Sequence, residues 1–301
     1  MKKLCSILLA LCMVMGFAVF TAIPAAAEET ANPYEPPANL GELSQAEQLA
    51  YFNLVVNRVR EEKPGFQRRE LQQIAGFRSS LMEGAVDELI NSVVQQLMPA
   101  EWKQRGIAAG ESNQDLFMNE SIYASALRPE DITFISCKKQ GDNWIIELLV
   151  KEEINPAKGL NSAHGRYAFV ATREEVIADL VAAGMSVRLA NLTLRYHNGF
   201  ARATVNPQGQ VVVAANGFQV HAQANNARLS IFSFDIATLQ NTEWQYAYFD
   251  WAPEEGFPEA NYEIDDVSIP PIPPLKWWQR LPDLFQWILR WVFFGWLWMG
   301  G

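Results

Sequence analysis

The chain has 301 residues, 49% of them apolar, with a net charge of −10 and three cysteines. That length holds one large domain or two small ones. The acidic balance repels phosphate backbones, and no basic aromatic patch overrides it, so nucleic acid is excluded as a partner.

The N-terminus, MKKLCSILLALCMVMGFAVFTAIPAAAEE, carries Lys2 and Lys3, an apolar run to Ile23, Pro24, and Ala25-Ala26-Ala27 before Glu28. This is the order of a secretory signal peptide, with cleavage expected after Ala27. The run is longer than the usual core of about 7–15 residues, which leaves an uncleaved anchor as an alternative. A lipoprotein site at Cys12 is weaker, because Leu11 precedes it and the apolar core continues. Cleavage leaves 22 basic side chains against 34 acidic ones, a net charge of −12. It also leaves Cys137 alone, so the mature chain forms no internal disulfide.

Residues 28–42 are polar and proline-rich, an extended spacer. Ser44 and Glu47 form a capping box that opens a helix, along which Leu49, Phe52, Val56 and Val59 recur at helical spacing until Lys63-Pro64-Gly65 stops them. Phe66 to Ser80 alternates in part, as a strand does. A second helix is expected from about Leu81 to Met98, with Val86, Leu89, Ile90, Val93, Val94 and Leu97 on one stripe and Pro99 ending it.

From Asp131 the period changes to that of strands. Ile132–Lys138 and Trp144–Lys151 flank Gln140-Gly141-Asp142-Asn143, a hairpin turn. A short helix is predicted over Thr172–Ala183, capped by Thr172 and Glu175 and stopped by Gly184. Strands are then predicted near 186–196, 200–206, 210–215, 218–224, 228–238 and 243–250. The breaks fall at Asn198-Gly199, Pro207-Gln208-Gly209, Asn216-Gly217 and Asn225-Asn226. The fold class expected is α+β, with an antiparallel β-meander over 43–251 covered by N-terminal helices and a separate C-terminal amphipathic and apolar helix. Residues 252–275 read as an acidic, proline-rich linker.

Chemistry is sparse. His164, His197 and His221 are the only imidazoles, and no two share a helical i, i+4 spacing. The pairs Glu152-Glu153, Glu174-Glu175, Glu254-Glu255 and Asp265-Asp266 are adjacent in sequence and so point in different directions. Ser136-Cys137-Lys138-Lys139 matches S-x-x-K, but it lies on a predicted strand and lacks the S-D-N and K-T-G partners. No catalytic, cofactor-binding or metal-ligating residue is assigned, and no cofactor is expected.

The segment Tyr51-Phe52-Asn53-Leu54-Val55-Val56-Asn57-Arg58-Val59-Arg60-Glu61-Glu62-Lys63-Pro64-Gly65-Phe66 resembles a helix-to-Pro-Gly-Phe signature of uncharacterised exported proteins of Gram-positive gut bacteria. Asn155-Pro156-Ala157-Lys158-Gly159, His164-Gly165-Arg166 and Ala203-Thr204-Val205-Asn206-Pro207 are similar to later parts of that family. The resemblance implies export and one continuous domain, and no activity.

The tail, 276–301, holds six of the ten tryptophans. Its apolar run, Leu284–Met299, is about 24 Å long as a helix, short of the about 30 Å of a bilayer core. Gln279, Asp283, Gln286 and Arg290 share one face, and no Lys or Arg follows Arg290. An in-plane helix is favoured, with Trp277, Trp278, Arg280, Trp287, Arg290, Trp291, Phe293, Trp296 and Trp298 as membrane contacts. A short span and docking onto protein are the alternatives.

The function expected is that of an exported, membrane-surface-tethered, non-enzymatic envelope protein with a binding-type domain, on the extracytoplasmic face of the cell membrane or in the cell envelope. Its partners are the membrane surface and another envelope protein. Alternatives are a carrier of a lipid or apolar peptide in a sheet-and-helix cup and a hydrolase built on His164, His197 and His221.

Overall fold

The structure is a computed structural model that describes residues 32–80, 101–111, 116–182, 185–229 and 232–260. The expected signal peptide, the expected helix at 81–98 and the tail at 276–301, with all nine expected membrane contacts, lie outside the described residues.

Helix α1, Gln45–Glu62, begins where the sequence predicts. The Ser44 hydroxyl accepts from the Glu47 N–H and the Glu47 carboxylate accepts from the Ser44 N–H, satisfying two donors that the first turn cannot. Lys63, with φ 51°, ends it. Leu49, Tyr51, Phe52, Val55, Val56 and Val59 are buried. Full burial of each large side chain is worth about 1.5–3 kcal/mol. One flank of α1 grips the loop at 116–128. Asn53 Nδ2 donates to the Leu127 carbonyl at 2.8 Å, Asn57 Nδ2 to the Ser125 carbonyl at 2.9 Å, and Arg60 to the carbonyls of Ser121, Tyr123 and Leu116. The short helix α2, Arg173–Ala182, has the predicted box between Thr172 and Glu175.

The strands are β1 Phe66–Ser79, β2 Lys103–Ile107, β3 Ile132–Gln140, β4 Asn143–Val150, β5 Glu153–Ile154, β6 Leu192–Val205, β7 Val211–Leu229 and β8 Phe232–Ala247. They form a curled antiparallel half-barrel in the order β2-β1-β8-β7-β6-β4-β3, with β5 paired to β6. The α+β class stands. The sheet is a meander only through β6-β7-β8, because β1 pairs with β8 and so brings the N-terminal half of the domain onto its far end.

Three long strands replace six predicted short ones, and the reasons are local. Asn198, φ 50°, and Asn226, φ 51°, supply positive φ for bulges inside β6 and β7 rather than for turns. At Asn216-Gly217 the strand continues, because Asn216 Nδ2 donates to the Tyr167 carbonyl at 3.1 Å and the Gly217 carbonyl accepts the Tyr167 hydroxyl at 3.0 Å. No strand was predicted at β2 or β5. The hairpin at Gly141 and the turn at Gly209, φ 61° and 73°, are where the sequence puts them.

Side chains alternate between an inner face, against which α1 packs, and an outer face. Tyr246, Ala214, Ala203, Ile146 and Cys137 form one inner row across β8, β7, β6, β4 and β3, and all are buried. The next inner row runs Trp244, Asn216, Ala201, Leu148 and Ile135, again buried. Alanines at the centre of both rows leave room for the helix. Phe52 stacks on Phe117, whose ring meets Tyr246 edge-on, and Phe66 joins Tyr246 to Phe249.

Candidate functional site

The strongest chemistry on the inner face is a histidine–carboxylate pair. Strand β5 is only two residues long, yet its pairing of Glu153 with Tyr196 turns the Glu153 side chain inward and leaves Glu152 outward on Arg195. The chain then loops back. Asn155, φ 52°, accepts from the Leu194 N–H with its side chain and donates to the Leu194 carbonyl with its backbone. Gly165 crosses the backbone of Gly159 so closely that a Cβ there would lie 2.4 Å from the Gly159 carbonyl oxygen. This crossing delivers His164 to Glu153.

The Glu153 carboxylate accepts from the Ala163 N–H at 3.0 Å, from the His164 N–H at 2.9 Å, and from His164 Nδ1 at 2.9 Å. Burial alone raises the Glu153 carboxyl, but the hydrogen bonds from His164 and Ala163 outweigh it and bring it down to about 2. Because an ionised carboxylate only accepts, Nδ1 carries the proton. Tyr167, Tyr196 and Phe218 surround the imidazole, and Nε2 is buried without a hydrogen-bond partner.

Glu153 and His164 are placed relative to each other as the acid and base of a nucleophile-activating triad would be, but no nucleophile stands at Nε2, where the backbone at Gly199 closes the site. A Cβ on Gly199 would stand 2.8 Å from His164 Nε2 and 2.7 Å from the Tyr167 hydroxyl. That hydroxyl already donates to Gly217. His164 is fully enclosed, and its bonds to Glu153 tie the loop at 155–166 to β5.

His197 and His221 project from the outer face. Tyr196 faces inward against His164, so its neighbour His197 faces outward, and His221 lies diagonally from His197 across β6 and β7. The sheet therefore separates them from His164, and the three imidazoles form no common centre. Burial and the nearby Arg195 cation push both His197 and His221 below their ordinary range. Cys137 is inward, and burial pushes its thiol up to about 12, against any role as a nucleophile. Among the described residues no group of three or more His, Cys, Asp or Glu could hold a metal ion, and no helix is long and apolar enough to cross a membrane.

Two outer-face features escaped the sequence. Phe134 and Leu149 stand directly opposite each other on β3 and β4 and are nearly half exposed, with Ile154 further along at 62% exposure. Closer to the centre, one row crosses four strands as His197, Gln219, Asn241 and Gln73. The row on β6, β7, β8 and β1 has no signature in sequence, since it depends on the register of β1 against β8, and the Phe134–Leu149 pair depends on which face of the β3–β4 hairpin the rest of the sheet leaves outward. Comparisons with family models, curated proteins and solved structures find no match.

Proposed function

We propose that the chain is an exported protein held at the extracytoplasmic membrane surface by residues 276–301, and that its α+β domain is a non-enzymatic binding module for another envelope protein. The observation that carries the binding reading is the solvent-facing apolar pair Phe134 and Leu149, continued by Ile154, on a domain whose histidine–carboxylate pair is enclosed. Support for the location comes from sequence: the N-terminal signal pattern, the proline-rich approach and the tryptophan-rich tail. The resemblance to exported Gram-positive proteins points the same way.

The carrier alternative gains no observation of its own, since α1 and the rings of Phe52, Phe117 and Tyr246 occupy the inner face. The test is fractionation of cells expressing the protein with and without residues 276–301. The intact chain should pellet with membranes and the truncated chain should not. Equal pelleting of both would overturn the tether.

A further inference from the structure

The charges around Phe134 and Leu149 indicate what kind of partner their face takes. The two side chains stand opposite each other on the outer side of β3 and β4, each nearly half exposed. One step towards the hairpin on the same side, Ser136 stands opposite Glu147, and Glu147 is answered by Arg202 on β6 at 3.0 Å. The next outward position on β3 is Lys138, exposed like Lys139 beside it. Neither ammonium has a carboxylate partner among the described residues, and Asp142 at the tip of the hairpin pairs with neither. In the other direction, towards Ile154, Glu152 is held by Arg195 through two bonds of 2.6 and 2.7 Å. The acids that flank the apolar pair are thus neutralised within the sheet, while the cations at the hairpin end are not. On a chain of net charge −10 this is a local reversal of sign. Physiological salt screens exposed charges beyond about 8 Å, so a partner on this face meets the lysines rather than the charge of the whole chain.

The backbone decides how a partner lies here. Gln140 and Asn143 close a two-residue hairpin and form a hydrogen-bonded pair, so Cys137, three positions along, turns its carbonyl away from β4. That edge is covered, because a Cβ on Gly41, in the Leu40–Glu42 turn, would stand 2.8 Å from the Cys137 carbonyl oxygen. A partner therefore lies over the face and does not extend the sheet. Phe134 and Lys138 are four residues apart on one side of a strand, about 13 Å, which an extended segment also covers in about four residues.

We propose that the partner docks here through an acidic segment, with an apolar side chain seated on Phe134 and Leu149 and carboxylates about four residues away bonded to Lys138 and Lys139. This rests on the binding reading of the same face and adds the chemistry of what it binds. The apolar contact supplies the burial, and the lysines fix which end of the segment is acidic, since at the opposite end Arg195 is already taken by Glu152. A lipid surface fits less well. Glu147 and Glu152 are about as exposed as the apolar pair, so anionic headgroups that reached Phe134 and Leu149 would meet those carboxylates too.

Panning a displayed random-peptide library against the full chain in detergent solution tests this, with the variant Phe134→Ser/Leu149→Ser as counter-selection. Enriched peptides should carry an apolar residue with Asp or Glu about four positions away. Lys138→Glu/Lys139→Glu should weaken the best of them about tenfold, with an unchanged unfolding midpoint reporting that the variant is folded. High salt should weaken the parent complex as well, a reading that needs no variant. Peptides that require Phe134 and Leu149 but are basic, or bind independently of salt and of the lysines, overturn the acidic assignment and leave the binding reading standing. A library that yields no peptide distinguishing the parent from Phe134→Ser/Leu149→Ser overturns both. Protection of Phe134 from hydroxyl-radical labelling when the full chain, without peptide, sits in phosphatidylglycerol vesicles assigns the face to lipid and also overturns the proposal.

Discussion

Oε2 of Glu153 lies 2.9 Å from Nδ1 of His164, and two backbone N–H groups complete the carboxylate's partners. The Glu153 carboxyl is held near 2, below its unfolded value of 4.5, so the unfolded chain binds more protons between those limits. Stability from this site is present in full above about 4.5 and is lost as pH falls through about 2. Glu153→Gln should cost on the order of 2 kcal/mol at pH 7, allowing for partial solvent screening. Its deficit against the parent should shrink steadily below pH 4.5 in urea unfolding curves. A deficit that does not change with pH would remove the ionic account.

Gly199 is the wall of that site. A methyl there meets the Tyr167 hydroxyl at 2.7 Å, His164 Nε2 at 2.8 Å and Val150 Cβ at 3.1 Å. None of the three can withdraw, since Tyr167 is tied to Gly217, His164 to Glu153, and Val150 sits within β4. Gly199→Ala should therefore destabilise the domain by about 1–3 kcal/mol, the usual cost of overpacking. The midpoint of chemical denaturation measures it. A neutral result would mean that β6 can shift at its bulge.

What was legible in the sequence was local. The Ser44–Glu47 box, the stop at Lys63 and the hairpin at Gly141 each depend on a few neighbouring residues, and each forms where their chemistry places it. Asn198-Gly199 and Asn216-Gly217 have the same composition as true turns, yet one is a bulge and the other continues a strand. The deciding contact at both comes from Tyr167, which no short window contains. Glu153 was visible only as half of an adjacent acidic pair. Its role follows from the pairing of β5 with β6, which divides Glu152 and Glu153 between the two faces. The outer row of His197, Gln219, Asn241 and Gln73 needs the register of four strands, and its last step, from β8 to β1, joins segments more than a hundred residues apart.

Asp131 and Arg166 form a buried charge pair. Nη1 of Arg166 lies 2.7 Å from both carboxylate oxygens of Asp131, whose Oδ2 also accepts from the Arg128 N–H at 2.9 Å, and Lys151 Nζ stands 3.5 Å from Oδ1. The pair joins the start of β3 to the His164 turn, so it holds the loop that carries Glu153's partner. Neither charge has water to fall back on, since Asp131 is 1% and Arg166 9% exposed. Asp131→Ala strands the guanidinium in the interior and should cost about 3–5 kcal/mol. Removing both charges should cost less than the sum of the single losses, because the double variant leaves no unpaired ion. A double-mutant cycle with Arg166→Ala, read by urea unfolding, measures the coupling. Simple additivity would show that the two side chains act separately and that the loop is held by its backbone alone.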